Sequence, residues 1–449
     1  MRVVVIGAGK MGLPVACQFA WRGARVVACD VKPETVEAIN RGISPIDEPG
    51  IPELLSEMVA VGRLTATTHT SAAVAEADVV VVIVPVLLTP DFQPDTAAIE
   101  SASRQIAKGL KPGTLVSYET TLPVGGSRKL AATLEESGLE AGVDFDFVFS
   151  PERAKSGFVL RSLTENAKVV GGINSRSAER GASFYAQYLG APVENVHTLE
   201  AAELVKLAGM IYRDVNIALS NELARYAEQV GVDFEVVLRV ANGDREAALL
   251  LPGIGVGGHC TPVYPHFLIR DSEGRGIETG LTKLARSIND QQPSYVLDRV
   301  EQVCGALKRR RVLILGLGFR PQVKEHVCSP AFQLRDDLVR RGASVCLHDP
   351  LYSDAEIRAH KFQPVSLVDS ELAEVLILNT AHDMYRTLDF ARLAAGGLKV
   401  VVDGRNLWAP EQVCQSGLLY LGVGRVPQGS VPDPVASLSR SPVEAGVRA

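Results

Sequence analysis

The sequence lacks several features that would assign it to a specialised class of protein. Its 449 residues carry a formal net charge of −6, so no overall positive charge is present to attract nucleic acid. The seven cysteines are scattered and never form a CxxC pair, which argues against a disulfide framework and a structural zinc site, and we expect no bound metal. No apolar run reaches about 18 residues, so no membrane span is expected. The N-terminus has no signal-peptide layout, which predicts a cytoplasmic location.

Short apolar runs alternate with helical patterns over the first 150 residues. Aromatic residues make up only 6% of the chain, so the cores must be built mainly from Val, Leu, Ile and Ala. A helix is predicted over Met11–Arg22. Uniformly apolar strands separated by helices indicate a parallel sheet that is covered on both faces. The predicted strands are Arg2–Ile6, Ala24–Cys29, Ala77–Pro85, Leu115–Glu119 and Phe145–Phe149.

Leu199–Val230 is predicted to form one long helix. It contains no proline and one internal glycine, and its apolar residues recur at spacings of three and four. A helix of about 30 residues spans roughly 45 Å, which is enough to bridge two domains. Its apolar stripe is large enough to form a dimer surface, and packing inside the protein explains the same periodicity equally well.

A second α/β region follows this helix and a further helix near residues 282–307. Arg311–Leu315 is followed by Gly-Leu-Gly, and the strand Ala343–His348 leads into Asp349, which repeats the order seen at the N-terminus. We therefore predict two Rossmann-like doubly wound domains, joined by the long central helix and a helical middle domain. The predicted bounds are 1–198, 199–300 and 301–428, with a disordered tail over 429–449.

A glycine motif directly follows the first strand and opens a helix. It reads Gly7-Ala8-Gly9-Lys10-Met11-Gly12, and Asp30 ends the second strand 18 residues after Gly12. The glycines allow a pyrophosphate to rest on the helix N-terminus, and the acid can accept hydrogen bonds from the ribose hydroxyls. Because an acid at this place repels a 2′-phosphate, the motif favours NAD over NADP.

A second glycine-rich run ends in a thiol. Four of the six residues from Gly253 to Gly258 are glycine, and His259 and Cys260 follow them. Such backbone permits the close approach of a ligand, so Cys260 is interpreted as a nucleophile presented by a glycine loop. The alternative is a small buried core residue, and His259 is more often structural.

With this loop, several long motifs make the chain resemble the UDP-glucose/GDP-mannose dehydrogenase family along nearly its whole length. It looks most similar to the branch that oxidises UDP-N-acetylhexosamines such as UDP-N-acetylmannosamine. The resemblance lies in the Cys260 loop and in Gly42–Gly50, Ser150–Arg153, Glu203–Ala208, Tyr212–Glu222 and Asp403–Asn406.

The resemblance implies oxidation of a sugar C6 alcohol to a carboxylate with two NAD per turnover. An aldehyde forms first, the active cysteine captures it as a thiohemiacetal, and a second oxidation gives a thioester that water hydrolyses. The resemblance assigns the nucleophile to Cys260 and the acid/base or oxyanion-stabilising lysine, which also contacts substrate, to Lys206. It assigns water handling or thioester hydrolysis to Glu152, and a contact near the nicotinamide and the sugar to Thr121.

The resemblance also implies a nucleotide-sugar site and a homodimer on the long helix, with Arg245 acting across the interface. UDP is favoured over GDP by the likeness around Tyr212–Glu222. The usual aromatic-Lys pair is replaced by Phe319-Arg320, which keeps a cation with altered geometry. The residues implied to bind substrate are Arg153, Lys206, Arg213, Arg245, Gly257, Phe319, Arg320 and Arg405.

Three positions depart from the family pattern at the reaction centre. Tyr264 stands where the family has an aspartate, Met210 replaces an asparagine one helical turn after Lys206, and Val327 replaces an arginine. Losing one preorganised polar group costs about 2.7–4 kcal/mol of transition-state stabilisation. Two alternatives to the full oxidation therefore stay open. One is a diverged enzyme that performs a single oxidation, a ring-hydroxyl oxidation or an NAD-assisted epimerisation. The other is a catalytically silent nucleotide-sugar-binding protein.

Overall fold

The computed structural model of the protein describes residues 1–244, 246–367 and 373–429. Strands and helices alternate over most of this length. Up to residue 150 they are β1 (Arg2–Ile6), α1 (Gly12–Trp21), β2 (Arg25–Cys29), α2 (Pro33–Asn40), α3 (Ile51–Ala60), β3 (Leu64–Thr67), α4 (Thr70–Ala75), β4 (Val79–Val82), β5 (Leu87–Leu88), β6 (Pro94–Asp95), α5 (Ala97–Gly109), β7 (Leu115–Tyr118), α6 (Gly126–Leu134) and β8 (Asp146–Phe149).

The remaining elements complete the first sheet and then form the second α/β region. Up to residue 304 they are α7 (Val159–Glu165), β9 (Lys168–Gly172), α8 (Ser175–Tyr188), β10 (Val193–Thr198), α9 (Leu199–Val230), α10 (Phe234–Ala241), α11 (Tyr264–Arg275) and α12 (Gly280–Cys304). Beyond it they are β11 (Arg311–Leu315), α13 (Pro330–Arg340), β12 (Ser344–His348), α14 (Asp354–Ala359), β13 (Gln363–Pro364), β14 (Val375–Leu378), α15 (Phe390–Ala395), β15 (Val400–Asp403), α16 (Pro410–Cys414) and β16 (Leu419–Gly422). Short 3₁₀ helices cover Glu135–Ser137 and Asp383–Thr387.

The chain divides into two compact units. The first contains Met1–Asn216 and Gly258–Ser287, and the second contains Ile217–Gly257 and the chain from Ile288 onward. The three domain bounds expected from the sequence remain predictions. Of the predicted C-terminal tail, only Gly429 lies within the described residues.

The first unit is built on an eight-stranded sheet in the order β10-β9-β8-β7-β4-β1-β2-β3. From β3 to β8 the strands are parallel and follow the order of a Rossmann fold. Alternate residues of each strand enter separate cores: Val3 and Val5 pack in one, and Val4 and Ile6 in the other. This two-sided burial explains why the strands read as continuous apolar runs, and it confirms the predicted α/β class.

Two strands at one end of this sheet reverse direction, which the sequence analysis did not anticipate. β9 pairs with β8 in antiparallel register, and β10 then pairs with β9 in parallel. The reversal brings the first residue of β9, Lys168, to the edge at which β8 ends. β8 and β9 pair Phe149 with Gly171. If this antiparallel pairing is continued by three residues, Lys168 lies opposite Glu152.

The strand predicted over Ala77–Pro85 is shorter in the structure. β4 ends at Val82, although the Ile83 amide still donates a hydrogen bond of 2.8 Å to the carbonyl of Ile6. The chain then leaves the sheet before Pro85, whose ring nitrogen has no hydrogen to donate. The other predicted elements agree with the structure within a few residues, and α12 ends where Gly305 adopts a φ of 77°.

The second unit contains a six-stranded parallel sheet in the order β13-β12-β11-β14-β15-β16. This is the same Rossmann order as in the first sheet, so the predicted second Rossmann-like region is confirmed. Asp349, at the end of β12, accepts hydrogen bonds from the amides of Leu317 (2.7 Å) and Gly318 (3.3 Å) in the glycine turn after β11.

The 32-residue helix α9 has the bounds predicted from the sequence. Ala202 and Leu207 are fully buried, whereas Tyr212, Leu219 and Tyr226 are exposed and recur every seven residues along one side of the helix. Among the described residues, no helix combines the length and apolar character that a membrane crossing requires.

Candidate active site

The glycine turn after β1 is tightly closed at one end and open at the other. Gly7 has a φ of 94°, which favours glycine. A β-carbon at Gly12 would lie 1.7 Å from the carbonyl oxygen of Gly7, whereas one at Gly9 would meet no atom within 4 Å. The turn therefore presses against the start of α1 and leaves its outer side free for the close approach of a phosphate group.

Asp30 lies against this turn at the end of β2. Its carboxylate accepts hydrogen bonds of 3.0 Å from the amides of Ala8 and Lys32. These bonds hold the acid beside the glycine turn, where ribose hydroxyls bind in Rossmann folds. Lys10 and Met11 complete the turn, and Met11 packs against the adjacent core. The shape and charge of these residues fit NAD.

A second group of predicted residues meets around Tyr264, the first residue of α11. The side chains of Thr121 and Cys260 lie close enough to the Tyr264 hydroxyl to influence its ionisation. The Nζ atom of Lys206 lies 5.7 Å from the centroid of the Tyr264 ring. The structure thus brings together Thr121, Lys206 and Cys260, which come from three separate parts of the sequence.

The local chain path explains how Cys260 faces this group. The carbonyl of Cys260 accepts hydrogen bonds from the amides of Val263 (3.2 Å) and Tyr264 (2.9 Å), which form a turn into α11. Pro265 occupies the first turn of that helix, where a missing amide hydrogen costs nothing. The thiol is partly exposed.

Tyr264 is a hydrogen-bond donor in this environment. Burial raises the pKa of its phenol above the usual value, and the neighbouring Cys260 raises it further. The phenol therefore stays protonated at neutral pH and cannot serve as the base that a carboxylate would provide at this place.

Lys206 lies on α9 with its side chain buried. Its Nζ atom donates a hydrogen bond of 2.6 Å to the main-chain carbonyl of Glu152. Burial lowers the pKa of Lys206, and the nearby Cys260 and Glu152 oppose that change. Met210, one turn later on α9, offers a thioether and no strong hydrogen-bonding group.

The Glu152 carboxylate binds groups other than Lys206. Its Oε1 atom accepts hydrogen bonds of 2.6 Å from the amides of Arg153 and Ala154, and its Oε2 atom lies 3.1 Å from Lys168 Nζ. Burial opposes ionisation, but the Lys168 charge and the two amides outweigh it and lower the pKa of Glu152. Glu152 is thus held as a carboxylate.

Sequence reasoning missed two charged residues beside Glu152. Glu119 follows β7 and lies 2.7 Å from Lys168 Nζ, and both side chains are buried. Their signals in the sequence are weak: Glu119 shares its motif with Thr121, and Lys168 is the single charge that opens an apolar strand.

The predicted arginines of the first unit take different positions. The Arg153 guanidinium donates to the carbonyl of Ala167, and Arg213 is exposed on α9. Arg245 lies outside the described residues, so its predicted role stays a prediction.

The other predicted substrate residues lie in the second unit. A β-carbon at Gly257 would lie 2.4 Å from the β-carbon of Phe319, so this backbone is pressed against the aromatic side chain. Arg405 donates hydrogen bonds to the carbonyls of Asn379 (2.7 Å) and Gly255 (3.4 Å). Burial, opposed by Asp403, lowers the pKa of Arg405 to about 10, so it remains a cation at neutral pH.

Arg320 and Val327 are both partly buried in the loops between β11 and α13. Within the same unit, the glycine loop is tied to α9 because the amide of Gly253 donates a hydrogen bond of 3.0 Å to Asn221 Oδ1. The geometry thus gathers Gly257, Phe319 and Arg405 around one loop. The binding roles of these residues remain predictions.

Three models of one family match the chain, all from the UDP-glucose/GDP-mannose dehydrogenase family. Its NAD binding domain matches residues 1–189, its central domain residues 200–291 and its UDP binding domain residues 313–410. The chain belongs to the UDP-glucose/GDP-mannose dehydrogenase family. It is therefore an NAD-dependent oxidoreductase whose partner is a nucleotide sugar, as the sequence predicted.

Named relatives agree with this family. The UDP-N-acetyl-D-mannosamine dehydrogenase of Pyrococcus horikoshii is 30% identical over 431 residues, which cover 95% of this chain and 99% of the relative. The NDP-N-acetyl-D-galactosaminuronic acid dehydrogenase of Ralstonia nicotianae is 32% identical over 426 residues, covering 92% and 97%.

Solved structures of the UDP-glucose/GDP-mannose dehydrogenase family share the fold. The UDP-D-ManNAc dehydrogenase of Pyrococcus horikoshii matches with a TM-score of 0.85 at 30% identity, covering 95% of this chain and 99% of that one. A UDP-glucose dehydrogenase from Pyrobaculum islandicum also gives 0.85, at 29% identity and coverages of 95% and 98%.

Proposed function

We propose that the protein oxidises the C6 alcohol of a UDP-sugar to a carboxylate through a covalent intermediate on Cys260. The observation that carries the proposal is the meeting of Cys260, Lys206 and Thr121 around Tyr264. The Cys260 thiol lies beside the buried Lys206 amine and near the hydroxyl groups of Thr121 and Tyr264. This arrangement suits the oxidation of an alcohol and the capture of the aldehyde by a nucleophile.

NAD, when bound, accepts the hydride in each of the two oxidations. Lys206 takes the alcohol proton or stabilises the developing oxyanion, and the low polarity of its surroundings strengthens that interaction. The Cys260 thiolate then adds to the aldehyde carbon, and the second oxidation leaves a thioester. Attack by water releases the carboxylate and returns the thiol.

A UDP-N-acetylhexosamine is the proposed substrate class. The similar proteins are named for UDP-N-acetyl-D-mannosamine and NDP-N-acetyl-D-galactosaminuronic acid. The match of residues 313–410 to a UDP binding domain supports uracil as the base. Gly257, Phe319, Arg320 and Arg405 are the proposed contacts in the second unit, and Arg153, Lys206 and Arg213 those in the first.

The test is a panel of UDP- and GDP-sugars incubated with NAD, with products identified by mass spectrometry. We expect two NADH and one uronic acid for each UDP-N-acetylhexosamine consumed. Cys260→Ser, the matched control, removes the thiolate with little change in size, so it should form no uronic acid. Full activity in Cys260→Ser would remove the covalent step from the mechanism.

Tyr264 favours a second candidate function, a single oxidation that ends at the aldehyde. Its protonated phenol lies near Cys260 where the family has a carboxylate, so no strong base is supplied there to accept the proton that the thiohemiacetal loses in the second oxidation. One NADH per sugar with an aldehyde product would support this candidate over the first. Ring-hydroxyl oxidation and epimerisation are distinguished by the mass and stereochemistry of the product. Binding of sugars without any NADH or product would indicate a catalytically silent protein.

We also propose a homodimer that uses α9. Tyr212 and Tyr226 are 60% and 67% exposed on the heptad-spaced side of this helix, and aromatic residues are enriched at protein interfaces. Light scattering should give a mass near twice 48.0 kDa for the wild type. Tyr226→Glu should shift the protein towards the monomer, whereas a monomeric wild type would refute the proposal.

A further inference from the structure

A buried cluster of charge lies behind the proposed catalytic lysine. Lys168 Nζ bridges Oε2 of Glu119 at 2.7 Å and Oε2 of Glu152 at 3.1 Å. The other carboxyl oxygen of Glu119 accepts a hydrogen bond of 2.7 Å from Tyr185 on α8. That hydroxyl also pairs with Ser117 of β7 at 2.7 Å. The ionisable groups that face Glu119 are thus Lys168, Glu152 and Tyr185.

A buried ion pair such as this one is weak evidence for a role in stability. Buried ion pairs are often replaced by apolar residues without loss of stability, because desolvation offsets the Coulomb attraction. Glu152 and Lys168 border a cavity of about 10 Å³, which has room for no more than about one water molecule. A hydrated counter-ion does not fit there, so Lys168 is the cation that offsets the charge of the two carboxylates.

The cluster is joined to the active site through the main chain. The carboxylate of Glu152 is fixed by Lys168 and by two backbone amides, while its carbonyl receives the ammonium of Lys206. The Glu152 amide in turn donates a hydrogen bond of 3.1 Å to the carbonyl of Glu119. The Glu152 side chain is therefore held by the cluster, and its main-chain carbonyl holds Lys206.

We propose that Lys168 is a positioning residue: by bridging Glu119 and Glu152 it fixes the Glu152 main chain, which holds Lys206 beside Cys260. The bridge joins one strand, β9, to the segments that follow two others, β7 and β8, so it sets this geometry more rigidly than a loop alone. The inference rests on the proposed function only in the role given to the Lys206–Cys260 pair.

The state of Glu119 couples the cluster to pH. Burial raises the pKa of Glu119 to about 7; Lys168 opposes the rise and Glu152 adds to it. Protonation of Glu119 removes one of the two carboxylates that Lys168 bridges. The bridge is therefore strongest above neutral pH and weaker in mild acid.

The variants that test the proposal are Lys168→Met, which removes the charge, and Lys168→Arg, which keeps it. Lys129→Met is the matched control, because Lys129 is exposed on α6. Two readouts are taken: kcat and KM on the sugar oxidised by the wild type, and the pH dependence of Cys260 alkylation by iodoacetamide. The alkylation is followed on the Cys260 peptide by mass spectrometry and needs neither cofactor nor substrate.

We expect Lys168→Met to lower kcat by about 100-fold, the usual cost of misplacing a reacting group by about 1 Å, with little change in KM for NAD. Its Cys260 should be alkylated more slowly at each pH, because Lys206 no longer lies beside the thiol. Lys168→Arg should recover most of both properties, and Lys129→Met should match the wild type.

Two outcomes overturn the proposal. One is a folded Lys168→Met protein with wild-type kcat and alkylation profile. The other is an equal loss of activity in Lys168→Met and Lys168→Arg with unchanged alkylation, which is the mark of a merely structural role. If Lys168→Met does not fold, Glu119→Gln replaces it. That variant should lower kcat and slow the alkylation of Cys260, and wild-type behaviour would overturn the proposal.

The two proposals fail separately. A wild-type protein that oxidises no nucleotide sugar, yet whose Cys260 alkylation slows in Lys168→Met, contradicts the proposed function and leaves the positioning role intact. Cys260-dependent oxidation that is unaffected by Lys168→Met contradicts the positioning role alone.

Discussion

The ammonium of Lys206 hydrogen-bonds to the main-chain carbonyl of Glu152, at 2.6 Å, and not to its carboxylate. The nearest partner thus orients the amine without the full charge of an ion pair. Burial accordingly prevails and lowers the pKa of Lys206 below its usual value. The neutral amine, the form able to accept a proton from an alcohol, is populated at lower pH than in a free lysine.

Lys206→Met should reduce kcat by about 100- to 1000-fold, the usual loss for one oxyanion-stabilising group. NAD affinity should change little, because the glycine turn and Asp30 carry the predicted cofactor contacts. In the wild type, kcat should rise with pH along a limb centred below 10.5, and this limb should vanish in Lys206→Met. Stopped-flow measurement of NADH formation from pH 6 to 10 tests both points. A limb that persists in the variant would assign the titration to another group.

Tyr264→Asp should increase uronic acid formation relative to aldehyde, because a carboxylate can accept the proton that the thiohemiacetal loses in the second oxidation. Tyr264→Phe removes only the hydroxyl. It takes away the polar group beside Cys260 and supplies no base. NADH stoichiometry and the mass of the intact protein during turnover measure the outcome. Equal product ratios in the three proteins would show that this position does not govern the second oxidation.

Gly12→Ala should weaken NAD binding by at least about tenfold, since its β-carbon would lie 1.7 Å from the Gly7 carbonyl oxygen and must displace backbone. The same overpacking should lower stability by about 1–3 kcal/mol. Gly274→Ala is the matched control, because a β-carbon at that helical position meets no atom within 4 Å. Fluorescence titration with NADH and thermal unfolding provide the two measurements. Unchanged affinity in Gly12→Ala would argue against the predicted cofactor site.

Gly257→Ala should weaken UDP binding while leaving NAD binding unchanged. The added methyl would lie 2.4 Å from the β-carbon of Phe319 and 3.0 Å from the Cys328 carbonyl oxygen, so the loop must shift at a cost of about 1–3 kcal/mol. Isothermal titration with UDP and with NADH separates the two sites. A parallel loss of both affinities would instead indicate a general loss of folding.

Glu119 should make stability depend on pH near neutrality. The pKa of its carboxyl is raised from 4.5 to about 7 in the folded protein, so the folded state holds this proton more tightly than the unfolded state. Its contribution is complete below pH 4.5 and is lost as pH rises to about 7. Glu119→Gln should therefore show a smaller decrease in melting temperature between pH 5 and pH 8 than the wild type. A larger decrease in the variant would contradict the assigned direction.

Local patterns in the sequence predicted the scaffold well. The spacing of apolar residues predicted α9, and continuous apolar runs predicted β1, β2 and β11. These elements could be predicted because the residues they bury are set by the local sequence pattern. The reversal of β9 was not predicted, since strand direction depends on pairing between distant segments. The Glu119–Lys168 bridge was missed for the same reason: its members are 49 residues apart and meet only once the sheet has formed.

The direction of one strand decides the sign of charge at this edge of the sheet. β9 is five residues long, so Lys168 and Gly172 lie roughly 13 Å apart. Had β9 run parallel to β8, Gly172 would arrive beside Glu119 and Glu152, and Lys168 would lie at the far side of the sheet. Glu119 and Glu152 would then be buried together without the compensating charge of Lys168. The direction of the β9 backbone thus places a positive charge beside these two buried carboxylates.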